Sequence, residues 1–481
     1  MRITIIGYGM AGARLADDLR GSGASITVIG AEKHPAYNRI LLSNVVAGSM
    51  SPDTVLLHSP DWARDNGIDL RLGVAAAEIR PCQHRVVLTD GSTVDYDALV
   101  LATGSTPWIP PTDGLLAGDV LAPGVVAFRD LDDCQQIVNQ AKDFGPVAVL
   151  GGGLLGLEAA RGLAGRGCAV TVVHPVGHLM ERQLDPAGGR VLARVLATKG
   201  IEFRLGQLAT KYLPGKGLLL DDDSVVAAGL VVVAAGARPS TALAEAAGLA
   251  VDRGVIVDDC LLTSAPDVYA IGDCATHPGT VSGLVQPAWE QAAVLARRLA
   301  GEDIRYSGTP VVTRLKTRDV DLASMGEVHV EAHDSDAEVV RLEDPSRGRY
   351  TKIVLRDDRV TGAIVLGAPD VAAAVTQLHD RGAPAPADRM ALLLGRAMPA
   401  GDTADPGTLP ASTLICRCNT VDKDRLVGAW HAGARSFDAL VSTTLAGTGC
   451  GGCRDTVCAL SRWLAEQDPV TEPEKLGCNA T

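Results

Sequence analysis

The chain has 481 residues, 47% of them hydrophobic and 21% charged, with 53 glycines and only 3% aromatics. That length exceeds a single hydrophobic core, and the composition is that of ordered, aliphatic, turn-rich domains rather than a disordered chain. A formal net charge of -13 leaves nucleic-acid or anionic-membrane binding without electrostatic support, though it suits a basic protein partner.

No apolar run approaches the roughly 20 residues that span a bilayer, and the opening residues feed a glycine turn rather than a cleavage site, so a cytoplasmic location is expected. In chain order, residues 2–6, 25–29, 97–101, 147–150, 169–173 and 230–234 are short and almost wholly apolar. They read as strands buried on both faces, with helical stretches between several of them. Strand, glycine turn, helix, strand occurs twice, from Ile3 and again from Val147. The fold class expected is therefore α/β, with two Rossmann-like nucleotide-binding domains.

In the first unit Gly7, Gly9 and Gly12 have GxGxxG spacing, and Glu32 follows twenty residues after Gly12. Glycines allow the sharp turn and a close approach to a pyrophosphate, the helix N-terminus attracts its charge, and the acid accepts hydrogen bonds from ribose hydroxyls. In the second unit Gly151, Gly153 and Gly156 repeat the spacing, with Glu158 next in the helix. Here the strand-end position holds His174 instead of an acid, and no Lys or Arg follows before Arg182. The usual marks of NADH and of NADPH are thus both missing. His174 and His178 are candidates for a phosphate contact if protonated, or simply satisfied polar groups.

The order of these elements, with Ala102-Thr103-Gly104 after the strand 97–101 and Gly272-Asp273 later in the chain, resembles the FAD-dependent pyridine nucleotide reductase family over about residues 1–310. The resemblance implies FAD at the first turn, with Thr103 and Gly104 against the flavin nucleotide and Asp273 on the ribityl chain, and NADH or NADPH at the second. It assigns 1–112 and 241–308 to the FAD domain and 113–240 to the NAD(P)H domain. The stretch PAYNRILLS (35–43) narrows it to the amino-terminal half of NADH-dependent nitrite reductase large subunits and to electron-transfer subunits of assimilatory nitrate reductases. Arg39 in that stretch is a candidate flavin-nucleotide contact or a plain capping or surface residue. Disulfide reductases and flavin peroxidases carry Cys in the first long helix, whereas this chain has Ser43-Asn44, so no thiol relay is expected there.

Residues 309–395 change to strand-like segments with charged turns and a helix-like stretch at 369–381, expected as an α+β interface domain. The segment 396–412, dense in Pro, Gly and Asp, reads as a linker, 413–468 as a small helical module, and 469–481 as a poorly ordered tail. The chain has 11 cysteines. Most are scattered singly, as reduced thiols would be, but Cys416 and Cys418 are followed by Cys450 and Cys453. Four thiolates in two close pairs fit a [2Fe-2S] cluster, and on ligand type alone a structural zinc equally. The CxC-x31-CxxC spacing resembles bacterioferritin-associated ferredoxin-like domains, which favours iron and sulfide. The expected activity is electron transfer from NADH through FAD and the cluster to a protein partner. Resembled nitrite reductases continue into siroheme domains lacking here, so the acceptor implied is the molybdenum-containing catalytic subunit of an assimilatory nitrate reductase. A general ferredoxin or rubredoxin reductase, and the electron-transfer subunit of an amino-acid or opine dehydrogenase, are the alternatives.

Overall fold

A computed structural model describes residues 1–468 other than 144, 282, 316, 318, 319, 396–405, 417, 418, 420, 449 and 450. By contacts it divides into two units, Met1–Asp143 with Leu230–Thr309, and Phe144–Gly229 with Pro310–Thr481.

In the first unit five parallel strands run in the order Val268–Ala270, Ala98–Leu101, Arg2–Ile6, Ser25–Gly30, Asp69–Leu72. The central strands are apolar on both faces because both are covered: Ile3, Ile5, Leu99 and Val100 are at most 1% exposed. Helix Met10–Asp18 packs against helix Val285–Leu299. The Trp289 indole N–H donates to the Met10 carbonyl at 3.0 Å and the Gly272 N–H to Gln291 Oε1 at 2.7 Å, so the late Gly272-Asp273 turn is fixed beside the first helix. Inserted before the strand Ala98–Leu101 is an antiparallel sheet of Ala76–Arg80, Arg85–Leu88 and Thr93–Asp95, which the sequence pattern does not announce.

The second unit holds three parallel strands, Val147–Leu150, Val170–His174 and Ile201–Leu205. A five-stranded antiparallel sheet follows in the order Val312–Arg314, Leu322–Gly326, Arg359–Leu366, Arg349–Arg356, Glu338–Asp344. These strands lie within residues 309–395, where strand-like segments are expected, and helix Pro369–Arg381 has the bounds expected, set by Pro369 at its first turn and by Gly382 at φ 55° after it. Helices Lys423–His431, Phe437–Thr444 and Arg454–Gln467 close a separate apolar core around Trp430, Leu426, Leu440 and Val457. The tail 469–481 and most of the expected linker lie outside the described residues. Among described residues no helix is long and apolar enough to cross a membrane.

One buried ion pair joins parts of the second unit. Asp185 caps helix Pro186–Ala197 by accepting from the Gly188 N–H at 2.9 Å, with Pro186 at the first turn. Its other oxygen accepts from Tyr350 Oη at 2.5 Å and Lys352 Nζ at 3.0 Å, both from the strand Arg349–Arg356.

Candidate functional site

The strand Arg2–Ile6 delivers its chain straight into the first glycine turn. Gly7 sits at φ 113°, and a Cβ there would lie 2.1 Å from the Ala102 carbonyl oxygen, while one at Gly12 would lie 1.9 Å from that of Gly7. These two glycines are required by backbone packing alone. Gly9 caps the helix without a side chain, and its Cβ position meets nothing nearer than Arg39 Nε at 3.8 Å. Gly104, at φ 68°, has nothing within 4 Å of its Cβ position. The turn is closed beneath and open above, as a pyrophosphate cradle requires.

Four charged residues, far apart in sequence, form one line in this unit. Glu32 accepts from Tyr37 Oη at 2.6 Å and from the Arg39 guanidinium. Arg39 also donates to the carbonyl of Arg129 at 3.2 Å, and Arg129 donates to Asp273 Oδ2 at 2.7 Å and to Ser105 Oγ. Ser105 Oγ donates to the same carboxylate at 2.8 Å. Burial works against the Arg39 charge, but Tyr37 and Glu32 more than offset it and raise its pKa. Thr103 Oγ1 donates to the Ser240 carbonyl at 3.0 Å, pinning the turn that carries Gly104. Glu32, Arg39 and Asp273 are thus brought together, and the residue that joins them, Arg129, was not singled out from the sequence. Its one sequence signal is a lone arginine between the apolar Val125–Ala127 strand and the capping run Asp130–Asp133.

Helix Leu42–Ala47 carries buried Ser43 and no cysteine. Cys134 packs against it from helix Leu131–Asp143, its Sγ 3.7 Å from the Leu42 carbonyl. Burial, then the nearby Asp133 and Asp130, pushes that thiol far up, which keeps it protonated and inert.

The second turn repeats the backbone device with different neighbours. Gly151 is at φ 120°, and Gly153, the cap of helix Leu154–Gly165, has open space at its Cβ position. Gly156 and Glu158 are buried in that helix, Glu158 at 5% exposure. A Cβ on Gly152 would strike the His174 ring at 2.7 Å. His174 is itself buried, with Nδ1 accepting from the Gly152 N–H at 3.1 Å and Nε2 paired with Glu181 Oε2 at 3.0 Å. Both ring nitrogens are used, so His174 is a satisfied polar group and not a free phosphate ligand.

In the small module Cys416 ends the strand Leu414–Cys416 and Cys453 precedes helix Arg454–Gln467; both are buried in the same apolar core. Cys418 and Cys450 lie outside the described residues. Asn419, 2% exposed, donates to the Leu445 carbonyl and to Thr448 Oγ1 at 3.1 Å, tying the segment after the first cysteine pair to the one before the second. Gly451 is at φ 77°. The Arg314 side chain lies against Gly452, with its Cδ 3.5 Å from that residue's Cβ position.

Three family models match the chain: pyridine nucleotide-disulphide oxidoreductase over residues 1–292, rubredoxin NAD+ reductase C-terminal domain over 311–378, and BFD-like [2Fe-2S] binding domain over 414–460. Among curated proteins the chain is 36% identical to a nitrite reductase [NAD(P)H] of Bacillus subtilis (strain 168), over 95% of this chain and 57% of that protein. It is 35% identical to the assimilatory nitrate reductase electron transfer subunit of the same organism, over 99% of this chain and 62% of that protein. The chain therefore spans about three fifths of the length of these two relatives. A rubredoxin-NAD(+) reductase of Alcanivorax borkumensis is 33% identical, over 65% of this chain and 82% of that protein. Among solved structures, NADH:rubredoxin oxidoreductase from Clostridium acetobutylicum aligns with TM-score 0.67 at 26% identity, over 82% of this chain and 98% of that one. The covalent putidaredoxin reductase-putidaredoxin complex aligns with TM-score 0.73 at 24% identity, over 82% and 98%, a likeness of fold.

Proposed function

Because this chain belongs to the pyridine nucleotide-disulphide oxidoreductase family, we propose that it takes electrons from a reduced nicotinamide dinucleotide and hands them singly to a separate protein. FAD and NAD(P)H are the cofactors of the family portion, and a [2Fe-2S] cluster that of the carboxy-terminal module. The observation that carries the proposal is their union in one chain: a glycine turn closed at Gly7 and Gly12 and open at Gly9 and Gly104, a second turn open at Gly153, and a module whose described cysteines, Cys416 and Cys453, are buried. When bound, these groups supply hydride acceptance at the flavin and one-electron passage at the cluster.

The residues present fit those groups. Gly7 and Gly12 close the turn against the backbone, and Gly9 and Gly104 leave room above it for a pyrophosphate. Glu32, Arg39, Thr103 and Asp273 supply the polar contacts of FAD. Gly151, Gly153 and Gly156, with Glu158 in the following helix, hold the nicotinamide dinucleotide. Cys416, Cys418, Cys450 and Cys453 would hold the cluster, and the two of them that the structure describes, Cys416 and Cys453, lie in an apolar core that would limit the access of water to it. With no cysteine in helix Leu42–Ala47 and Cys134 buried as a thiol, neither supplies a thiol relay beside the first glycine turn.

The acceptor we favour is the molybdenum-containing catalytic subunit of an assimilatory nitrate reductase, supported by the 35% identity over 99% of the chain to an electron-transfer subunit of that system. A rubredoxin-type carrier is the second reading, supported by the match over 311–378. Anaerobic titration with NADH, followed by visible absorption and by iron and sulfide analysis, tests the route. Flavin and cluster bands are expected to bleach together. Cys450→Ser should leave flavin bleaching intact and abolish reduction of the external protein. A zinc-containing, sulfide-free module would sink the second half of the scheme.

A further inference from the structure

The second turn lacks the strand-end carboxylate that a dinucleotide unit uses to accept hydrogen bonds from the adenosine ribose. The strand Val170–His174 ends instead on a histidine, 5% exposed. Its Nδ1 accepts from the Gly152 N–H, and a ring nitrogen that accepts carries no proton. The single proton of the neutral imidazole therefore sits on Nε2, which donates to Glu181 Oε2 at 3.0 Å. Leu179 and the ring crowd the same side of Gly152, each within 2.8 Å of its Cβ position, so the imidazole is wedged beneath the turn. One connector thus runs from the second glycine turn to a carboxylate seven residues further along the chain. The side chain of Glu181 is 37% exposed, open enough to meet a ligand. The hydrogen bond from His174 outweighs burial and holds its carboxyl below the ordinary glutamate range, so it is ionised at neutral pH.

We infer that Glu181, presented by the His174 ring, takes the place of the missing strand-end acid as acceptor for the adenosine ribose and makes this chain prefer NADH to NADPH. The inference rests on the proposal that the second turn holds a nicotinamide dinucleotide. The physical reason is charge. A carboxylate accepts from 2′- and 3′-hydroxyls, whereas a 2′-phosphate brings close to two negative charges to the same place. Arg182, the next residue, is the one cation in that stretch able to oppose this effect.

The test is calorimetric binding of NAD+ and of NADP+ to the oxidised holoprotein, with flavin absorbance verifying each variant. Wild type is expected to bind NAD+ at least about tenfold more tightly than NADP+, the factor one charged hydrogen bond commonly supplies. Glu181→Gln should collapse that ratio, weakening NAD+ and strengthening NADP+ together. His174→Gln should move the ratio the same way, and the double variant should shift it no further than Glu181→Gln alone, which a merely structural histidine would not do. Binding of both nucleotides with an unchanged ratio in Glu181→Gln overturns the role of Glu181 alone, and so does a wild type that favours NADP+. Failure of the wild type to bind either nucleotide overturns the dinucleotide site itself, and this inference with it.

Discussion

Two groups of charged side chains, one in each unit, both pair carboxylates with cations and a tyrosine hydroxyl and differ in their access to water. In the Glu32–Arg39–Arg129–Asp273 line the side chains are 20–37% exposed. In the Asp185–Lys352 pair they are 4% and 0% exposed, with Tyr350 fully buried beside them. A charge taken wholly out of water and paired within the protein has no solvent-facing side left for a ligand and holds structural elements in place. A charged line left partly open, beside a glycine turn with empty space above it, keeps part of its hydrogen-bonding capacity for a ligand.

The sealed pair gives the largest expected effect. Lys352→Met leaves the Asp185 carboxylate buried with Tyr350 and the Gly188 N–H alone, and breaking a buried pair from one side costs about 3–5 kcal/mol. Urea denaturation of the flavin-free protein should show that loss, and adding Asp185→Asn should restore part of it, since no uncompensated charge then remains. Burial pushes the Asp185 carboxyl up, but hydrogen bonds from Tyr350, Gly188 and Lys352 leave it below its ordinary value. A carboxyl depressed in the fold stabilises it at neutral pH and loses that contribution as pH falls through the depressed value; without Lys352 that carboxyl protonates at a higher pH, so the difference between Lys352→Met and wild type should shrink as pH falls from the variant's value towards the wild type's. A variant as stable as wild type at pH 7 would show that the pair is replaceable.

The open line should respond the other way. Arg129→Met removes the donor to Asp273 and Ser105 but keeps the backbone carbonyl that accepts from Arg39, and water can reach the Asp273 carboxylate, so the flavin-free protein is expected to lose no more than about 1 kcal/mol. Retention of FAD should fall about tenfold, the scale of one charged hydrogen bond, measured by equilibrium dialysis of the flavin. If Arg129→Met instead melts the fold and spares flavin retention, the contrast between open and sealed clusters disappears.

The sequence carried some of this and hid the rest for identifiable reasons. Strands such as Arg2–Ile6 and Val147–Leu150 are legible because burial on both faces leaves no room for polar residues. The first glycine turn is legible because steric closure at Gly7 and Gly12 admits no other residue, and the second because Gly151, Gly153 and Gly156 repeat its spacing after a second apolar strand. The insertion Ala76–Arg80 to Thr93–Asp95 was not, since its strands are short, half exposed and interrupted by a bulge at Ala76/Glu78. Arg129 was not, because its partners are 90 and 144 positions away. The position of His174 was legible as an anomaly. Its meaning was not, because the tautomer depends on the Gly152 N–H, which exists as a neighbour only once the chain has folded.

A last effect sharpens the contrast within the first unit, which has a sealed group of its own. His58 is 9% exposed, stacks on Trp62 with ring centroids 3.7 Å apart, and shares a hydrogen bond with Oη of Tyr8, a residue of the first glycine turn, at 2.7 Å. Burial pushes its pKa down to about 4, with Asp17 opposing that shift and Arg20 adding to it. The unfolded chain therefore takes up a proton at His58 near pH 6.5 that the folded chain refuses until about pH 4. Stability from this group is complete above the unfolded value and is lost as pH falls across that window. The loss should be on the order of 1–2 kcal/mol once local access of water is allowed for, seen as a steeper fall in urea midpoint between pH 7 and pH 4.5 for wild type than for His58→Gln. Equal slopes would mean that His58 titrates freely in the fold, and low exposure would then be too weak a criterion to separate structural charges from ligand-facing ones.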